Sequence, residues 1–330
     1  MASPRPVYST PMLTALHARP GEAARTLSSK DEVAAALKTG QGCLWVDLED
    51  PTEEEKGILG SVFGFHRLSI EQCLVQTSHP RLHDFGDYLH LVFHGIRGLR
   101  PLAAEELDVF LGANFIVTHH RGPMRVLEDV RKKCGEVRSV MERGPDRVLA
   151  EILDDLADGT LGVVEGLSEG VDGLEDRLFK HASKPALREI FTLKKEILQL
   201  RRVVGPQREV LHRLSRGEFR MVSPEDSVVF RDVYDRICRV SEMLESFRDL
   251  LSSAMEVYLS VVSNRTNEGV RVLTVFSIVL MTVSLLAGIY GMNFAAIPLA
   301  REPWGFWALL GIMAATAGGL FLLFRRRRWI

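Results

Sequence analysis

The sequence predicts an N-terminal cytosolic α/β domain, then long helices, then two C-terminal transmembrane helices. Three observations predict it. Apolar runs of β type interleave with helical stretches over the first 160 or so residues, and a strongly charged segment with helical periodicity follows. Two uncharged stretches then come near the C-terminus, VLTVFSIVLMTVSLLAGIY from Val272 to Tyr290 and WGFWALLGIMAATAGGLFLLF from Trp304 to Phe324. Whole-chain averages hide this division: 330 residues with a net charge of −2 and 25% charged residues describe an ordinary soluble protein, because a charged stretch up to about Arg271 is averaged with an apolar one. The expected division is a cytosolic α/β domain over 1–165, a helical stalk over 166–271 and a two-helix transmembrane domain over 272–330.

In the first domain, CLWVDL (Cys43–Leu48), YLHLVF (Tyr88–Phe93) and FIVT (Phe115–Thr118) read as strands. Asp50-Pro51-Thr52-Glu53 reads as a helix start, with the Asp50 carboxylate accepting from free N–H groups and Pro51 at the first helical position. Interleaved strands and helices favour a layered α/β arrangement. Cys43, Cys73, Cys134 and Cys238 are far apart, with no C-x-x-C spacing, so reduced cytosolic thiols are expected rather than a metal knuckle or a disulfide framework. MASPRPVYSTPML lacks a basic start, an apolar core and a small-residue cleavage site, so no signal peptide is expected and the N-terminal part is assigned to the cytoplasm.

From about Val148 to Leu214 the pattern is helical, with a break expected near Lys184-Pro185. Ser223-Pro224-Glu225-Asp226 opens a segment with no proline until Pro298, which predicts one helix from about Asp226 through the first uncharged stretch. At 1.5 Å per residue that is roughly 100 Å of rod. Each uncharged stretch is long enough to cross a hydrocarbon core of about 30 Å as a helix. Arg265 and Arg271 precede the first span and Arg325, Arg326, Arg327 and Arg328 follow the second, whereas the connection between them offers only Arg301, next to Glu302. Both termini are therefore expected on the cytoplasmic side of a bacterial-type inner membrane. Trp304, Trp307 and Trp329 fall where an indole can bury its ring and wet its N–H.

A repeating seam marks the long helix. Alternating steps of three and four give Glu242, Ser246, Asp249, Ser253, Glu256, Ser260, Ser263, Asn267, Val270, Thr274, Ser277, Met281, Ser284 and Gly288, a face that is small or hydroxylated almost throughout. The opposite side carries Phe247, Leu251, Met255, Tyr258 and Val262. A repeat of about 3.5 residues places one seam along a bundle axis. Within a bilayer a polar seam must face water or other helices. For any single residue, close helix packing through small side chains explains the choice equally well; a water-filled axial path explains the whole length. Two spans cannot enclose a conduit, so several copies around one axis are expected.

At the outer end of the first span stands Tyr290-Gly291-Met292-Asn293-Phe294. Gly-Met-Asn closing the first of two C-terminal spans resembles the signature of the CorA family of divalent metal-ion transporters. WVDLEDPTEEE (Trp45–Glu55), DYLHLVF (Asp87–Phe93), EELDVFLGANFIVTHH (Glu105–His120) and the terminal RRRRWI extend that resemblance over nearly the whole chain. It implies a funnel-shaped homopentamer in the lipid bilayer that carries divalent cations, Mg²⁺ foremost and Co²⁺ or Ni²⁺ beside it, and that closes when Mg²⁺ binds acidic residues between cytosolic domains. Carried over by position, Asn293 is the ion-selecting residue, with Gly291 and Met292 in the same filter motif. Met281, Ser284, Gly288, Leu273 and Val270 are pore or gate positions. Glu256 falls at a sensor position, with Asp84 or Asp87 opposite it. In physical terms Gly291 permits the turn that ends the helix, and Asn293 amide oxygens around an axis suit an aquated Mg²⁺, which sheds water reluctantly.

The outer loop departs from the family pattern. Ala295-Ala296-Ile297-Pro298-Leu299-Ala300-Arg301-Glu302-Pro303 has no net charge, and its A-A-I-P stretch looks like the zinc-transporting, ZntB-like branch. Zinc favours imidazole and thiolate; His79, His83, His90 and His94 lie close together in sequence, and His119 adjoins His120. All of these fall in the expected cytosolic domain, however, and His90 and His94 are same-face positions of a strand. Three functions are therefore carried forward: Mg²⁺ uptake driven by membrane potential, Zn²⁺ transport, and a membrane-tethered sensor or scaffold without conduction. No phosphate-cradling glycine loop or nucleophile motif points to an enzyme or an organic cofactor. The arginine run is explained by topology rather than by nucleic acid.

Overall fold

The computed structural model describes residues 13–75, 79–98, 102–180, 183–292, 298, 302–327 and 329. The chain divides into two compact units, Met1–Asp176 with Arg188–Ser252, and Arg177–Leu187 with Ser253–Ile330.

The first unit is built on a seven-stranded sheet. Its strands are β1 (Leu13–Ala18), β2 (Arg25–Leu27), β3 (Cys43–Glu49), β4 (Arg81–Asp84), β5 (Tyr88–Arg97), β6 (Ala103–Gly112) and β7 (Phe115–His120), in the order β2-β1-β3-β7-β6-β5-β4. Only β3 and β7 pair in parallel, Leu44 opposite Phe115 through Glu49 opposite His120; every other pair is antiparallel. The three runs read as strands in the sequence are β3, the first part of β5 and β7. β3 is buried from Cys43 through Leu48, which is why it reads as a continuous apolar run rather than an alternating one.

Helices α1 (Lys30–Thr39), α2 (Glu53–Ser61) and α3 (Arg67–Leu74) are the first three in the chain. Val33, Ala36, Leu59 and Cys73 pack with Leu44, Val46, Leu48, Phe110 and Val117 of the sheet into one apolar cluster. The start of α2 differs from the sequence expectation. Thr52 is the cap: its hydroxyl accepts from Glu55 N, and the Glu55 carboxylate accepts from Thr52 N at 2.8 Å, which closes a capping box. Asp50 instead turns the chain with a left-handed φ of 42°, and its carboxylate accepts from Gly122 N at 3.1 Å. Pro51 therefore precedes the cap rather than following it.

On β3 and β7 a buried polar chain holds the parallel pair together. Trp45 Nε1 donates to Thr118 Oγ1 at 3.0 Å, and Thr118 Oγ1 donates to Asp47 Oδ1 at 2.6 Å. The same carboxylate meets His120 Nε2 at 3.2 Å and the guanidinium of Arg131, on α4 (Arg125–Glu136). Burial opposes charging His120, but the hydrogen bond and charge of Asp47 outweigh it and raise the imidazole pKa.

The short α5 (Arg138–Arg143) precedes α6 (Pro145–Lys180). α7 (Lys184–Ser215) and α8 (Pro224–Tyr290) complete the long helices. The interruption between α6 and α7 falls where Lys184-Pro185 predicted it, and α7 passes through Pro206 with Val203, Val204, Val210 and Leu211 buried around it. Ser223 opens α8 as expected, its hydroxyl accepting from Asp226 N at 3.2 Å. Arg147 pairs with Asp226 at 3.3 Å, and Arg236 with Asp154 and Asp158 at 2.7 and 2.8 Å, so α6 is pinned to the first turns of α8. The second unit holds the remainder of α8 and α9 (Gly305–Arg326).

Asp47→Ala is expected to destabilise the protein by about 3 kcal/mol, because it strands the buried Thr118 and His120 groups and unpairs Arg131. Thermal unfolding of the purified protein checks this, and a loss below about 0.5 kcal/mol would show the buried chain to be dispensable.

Candidate functional site

α8 has two distinct faces. Phe230, Val233, Ile237, Val240, Leu244, Phe247 and Leu251, spaced by threes and fours, are buried in the first unit. Glu242, Ser246, Asp249 and Ser253 lie half a turn away, and all are exposed. The exposed register continues without a skip through Glu256, Ser260, Ser263, Asn267, Val270, Ser277, Met281, Ser284 and Gly288; Thr274 alone on the seam is half-buried. Over the first part of α8 the seam is thus a distinct uncovered face; from Val262 to Leu273 every residue of the helix is exposed, so there the seam is marked by its residue types and its unbroken register.

Within the apolar part, Val270 is 57%, Leu273 68% and Met281 72% exposed. The Thr274 hydroxyl donates to Val270 O at 2.8 Å, so its proton is satisfied inside its own helix. A Cβ added at Gly288 would meet nothing within 4 Å. Only 6% of the most apolar stretch of α8 and 0% of that of α9 is buried within the chain, which is the exposure of a membrane span rather than of a core helix.

α8 ends at Tyr290, and Gly291 lies in the turn that follows. Gly291 does not adopt a left-handed φ. It continues the helical pattern by donating its N–H to Ala287 O at 2.9 Å, and Met292 N then donates to Ile289 O at 3.3 Å, tightening the last turn. The last described turn is therefore a tight one. Asn293, the residue assigned to ion selection, lies outside the described residues, as does most of the following loop.

The acidic residues assigned to sensing fall in different units. Asp84 and Asp87 flank the tight β4–β5 turn, where Asp84 Oδ1 accepts from Gly86 N at 2.8 Å and Gly86 supplies a φ of 86°. Both carboxylates are exposed, and so is Glu256, which belongs to the second unit. Of the histidines, His90 and His94 are buried on β5 and His79 and His83 are exposed. Cys43 and Cys134 are buried thiols held protonated: burial and then Cys134 raise Cys43, while burial and then Glu151 push Cys134 up to about 12. One cluster had no sequence signal, namely Cys73, Asp108 and His119, whose potential ligand atoms all lie within 4.8 Å of one another. They come from α3, β6 and β7, so no short spacing joins them.

Comparison with known proteins places this geometry in a family. Residues 40–326 match the family model described as CorA-like Mg2+ transporter protein. The cobalt/magnesium transport protein CorA of Thermotoga maritima is 31% identical over 276 residues, 82% of this chain and 79% of that one. The zinc transport protein ZntB of Pectobacterium carotovorum subsp. carotovorum is 23% identical over 266 residues, 79% of this chain and 80% of that one. Among solved structures, the complete CorA magnesium transporter of Methanocaldococcus jannaschii superposes with a TM-score of 0.83 at 24% identity, covering 98% of this chain and 100% of that one.

A cysteine placed on the uncovered face tests whether other copies cover it. In a Cys238→Ser background, Ser263→Cys is expected to form inter-chain disulfides under mild oxidation, and Val240→Cys, on the buried face, is expected to form none; non-reducing electrophoresis reads both. Equal behaviour of the two positions would contradict a shared seam.

Proposed function

The chain belongs to the CorA family of divalent-cation transporters, and from that premise we propose that it carries hydrated Mg²⁺ through a pore shared by five copies. The family consists of transporters rather than enzymes. The observation that carries the proposal is the uncovered seam of α8, polar or small along its length and continuous into the apolar stretch. Five such seams around one axis make a wet passage, with α9 toward lipid. The arginines flanking the spans set both termini on the cytoplasmic side of the inner membrane.

At the outer mouth, five Asn293 carboxamides accept hydrogen bonds from the water shell of the ion. Mg²⁺ holds six oxygens at about 2.0–2.1 Å and gives up water slowly, so reading the shell avoids the cost of stripping it. Below the filter, rings of Met281, Leu273 and Val270 act as apolar constrictions that close by dewetting, while Asn267, Thr274, Ser277, Ser284 and Gly288 keep the passage narrow and wettable. A divalent ion gains about 4.6 kcal/mol per 100 mV on crossing, twice the value for one charge, which is ample for uptake without a coupled proton. The absence of Asp, Glu, His, Lys and Arg from Val272 to Tyr290 and from Trp304 to Phe324 agrees with passive flow.

Regulation follows from the exposed carboxylates. With cytosolic Mg²⁺ scarce, Asp84, Asp87 and Glu256 of neighbouring copies repel one another and the passage opens; bound Mg²⁺ cancels the repulsion and closes it. Because Glu256 and the constriction residues share one helix, displacement of the first moves the second. A second reading, Zn²⁺ transport, is favoured by the uncharged Ala295–Pro298 stretch together with the ZntB relatives.

Flux into protein-loaded vesicles, with Mg²⁺, Co²⁺, Ni²⁺ and Zn²⁺ offered separately, tests the ion. Mg²⁺ uptake is expected in the wild type and a loss of at least tenfold in Asn293→Ala. Zinc flux with no Mg²⁺ flux would promote the second reading, and no flux of any ion would leave a tethered sensor or scaffold. The double variant Glu256→Ala, Asp84→Ala is expected to keep conducting at Mg²⁺ concentrations that silence the wild type; unchanged inhibition would remove these residues from the sensor.

A further inference from the structure

We propose that Cys73, Asp108 and His119 form a binding site for one borderline-soft divalent cation of the Zn²⁺ class, built into the α/β unit and distinct from the Mg²⁺ path. Cys73 comes from the last turn of α3. Asp108 and His119 are direct partners across the β6–β7 pair, so their side chains leave the same face of the sheet. All three residues are more than nine-tenths buried. A sulfur, a carboxylate oxygen and an imidazole nitrogen lie within 4.8 Å of one another. Around a common zinc ion with bonds of about 2.0–2.3 Å, such atoms stand about 3.5 Å apart, so small side-chain rotations close the site.

Two features separate this cluster from a simple hydrogen-bonded core. His119 Nδ1 is buried without a hydrogen-bond partner and lies 3.6 Å from Asp108 Oδ2, beyond hydrogen-bond range. Either a lone pair or a proton is stranded there, at a cost that buried polar groups avoid. A cation between nitrogen, oxygen and sulfur gives the stranded nitrogen a partner and takes the place of the Cys73 hydrogen bond to Asp108. The other carboxylate oxygen, Asp108 Oδ1, is held by His90 Nε2 at 2.9 Å, and the His90 ring stacks on Phe110 with centroids 4.5 Å apart. Partners of this kind orient ligating carboxylates in metal sites.

The cluster lies in a cavity of about 110 Å³, with half-buried Glu105 and Glu106 and exposed Ala104 on its upper wall. Since a water takes about 30 Å³, there is room for an ion and the solvent ligand that completes four-coordination. The rim carries Arg121 as well, and Glu105 is paired with Arg97 at 2.9 Å, so the donor atoms rather than the rim charge carry the site. The donor set decides the class: thiolate and imidazole suit Zn²⁺ or Co²⁺, whereas Mg²⁺ demands six oxygens. A bound ion would staple α3 to the centre of the sheet.

The test uses the full-length protein in detergent, stripped with chelator and titrated with Co²⁺ alone. One Co²⁺ per chain is expected to produce a thiolate-to-cobalt charge-transfer band. Zn²⁺ should abolish the band and excess Mg²⁺ should not. The band should fall at least tenfold in Cys73→Ser and His119→Gln and persist in Cys134→Ser. No band in the wild type, or an undiminished one in Cys73→Ser, would overturn the site. Should the variants fail to fold, mapping of thiol alkylation in the wild type decides: Zn²⁺ is expected to slow labelling of Cys73 at least tenfold and leave Cys238 unchanged, and equal labelling of Cys73 with and without Zn²⁺ counts against the proposal. Neither readout involves conduction, so failure here leaves the transport assignment standing.

Discussion

A polar or backbone-bare helix face cannot rest against hydrocarbon, and the rest of this protein is arranged around that constraint. Over its cytosolic-type turns α8 buries one apolar face in its own unit and leaves the opposite face uncovered. When the same register enters the apolar stretch, Ser277, Ser284 and Gly288 occupy positions where a lipid-facing helix would carry large aliphatic side chains. One chain has two candidate spans and so cannot surround a solvent column of its own. In the proposed pore, copies of the chain supply the missing wall, so that assembly belongs to the seam's function.

The α/β unit solves the opposite problem, that of keeping polar groups inside a dry core. Asp47 does so by gathering donors from β7 and α4, so its charge is never left alone. Asp108 gathers His90 on one side, yet faces an orphaned His119 nitrogen on the other. The two carboxylates sit on β3 and β6, on either side of β7, and it is the grouping of thiol, carboxylate and imidazole around Asp108 that singles it out as a place for an ion.

Much of this was legible in the sequence because it depends on local composition and periodicity. The β3, β5 and β7 strands and the two apolar stretches stand out as runs of one composition, the long helix as a proline-free segment, and the seam as a repeat of threes and fours, all of which a one-dimensional reading detects. Local capping was less legible: Asp50 and Thr52 are both good caps, and the choice between them turned on a left-handed φ and a bond from Gly122, which is distant in sequence. The Cys73, Asp108 and His119 grouping was invisible, since its members are joined only by strand register and by the docking of α3. His90 and His94 were read correctly as one face of a strand, but the direction in which His90 would hold Asp108 needed coordinates.

The central claim is that the small-residue seam of α8 faces water inside the membrane. Single cysteines placed in turn from Val270 to Gly288, then exposed to a membrane-impermeant thiol reagent in native vesicles, test it most directly. The account predicts labelling at Thr274, Ser277, Met281 and Ser284, with protection at Phe276, Ile278 and Leu285 between them. Labelling without that periodicity, or confined to the large apolar positions, would contradict it.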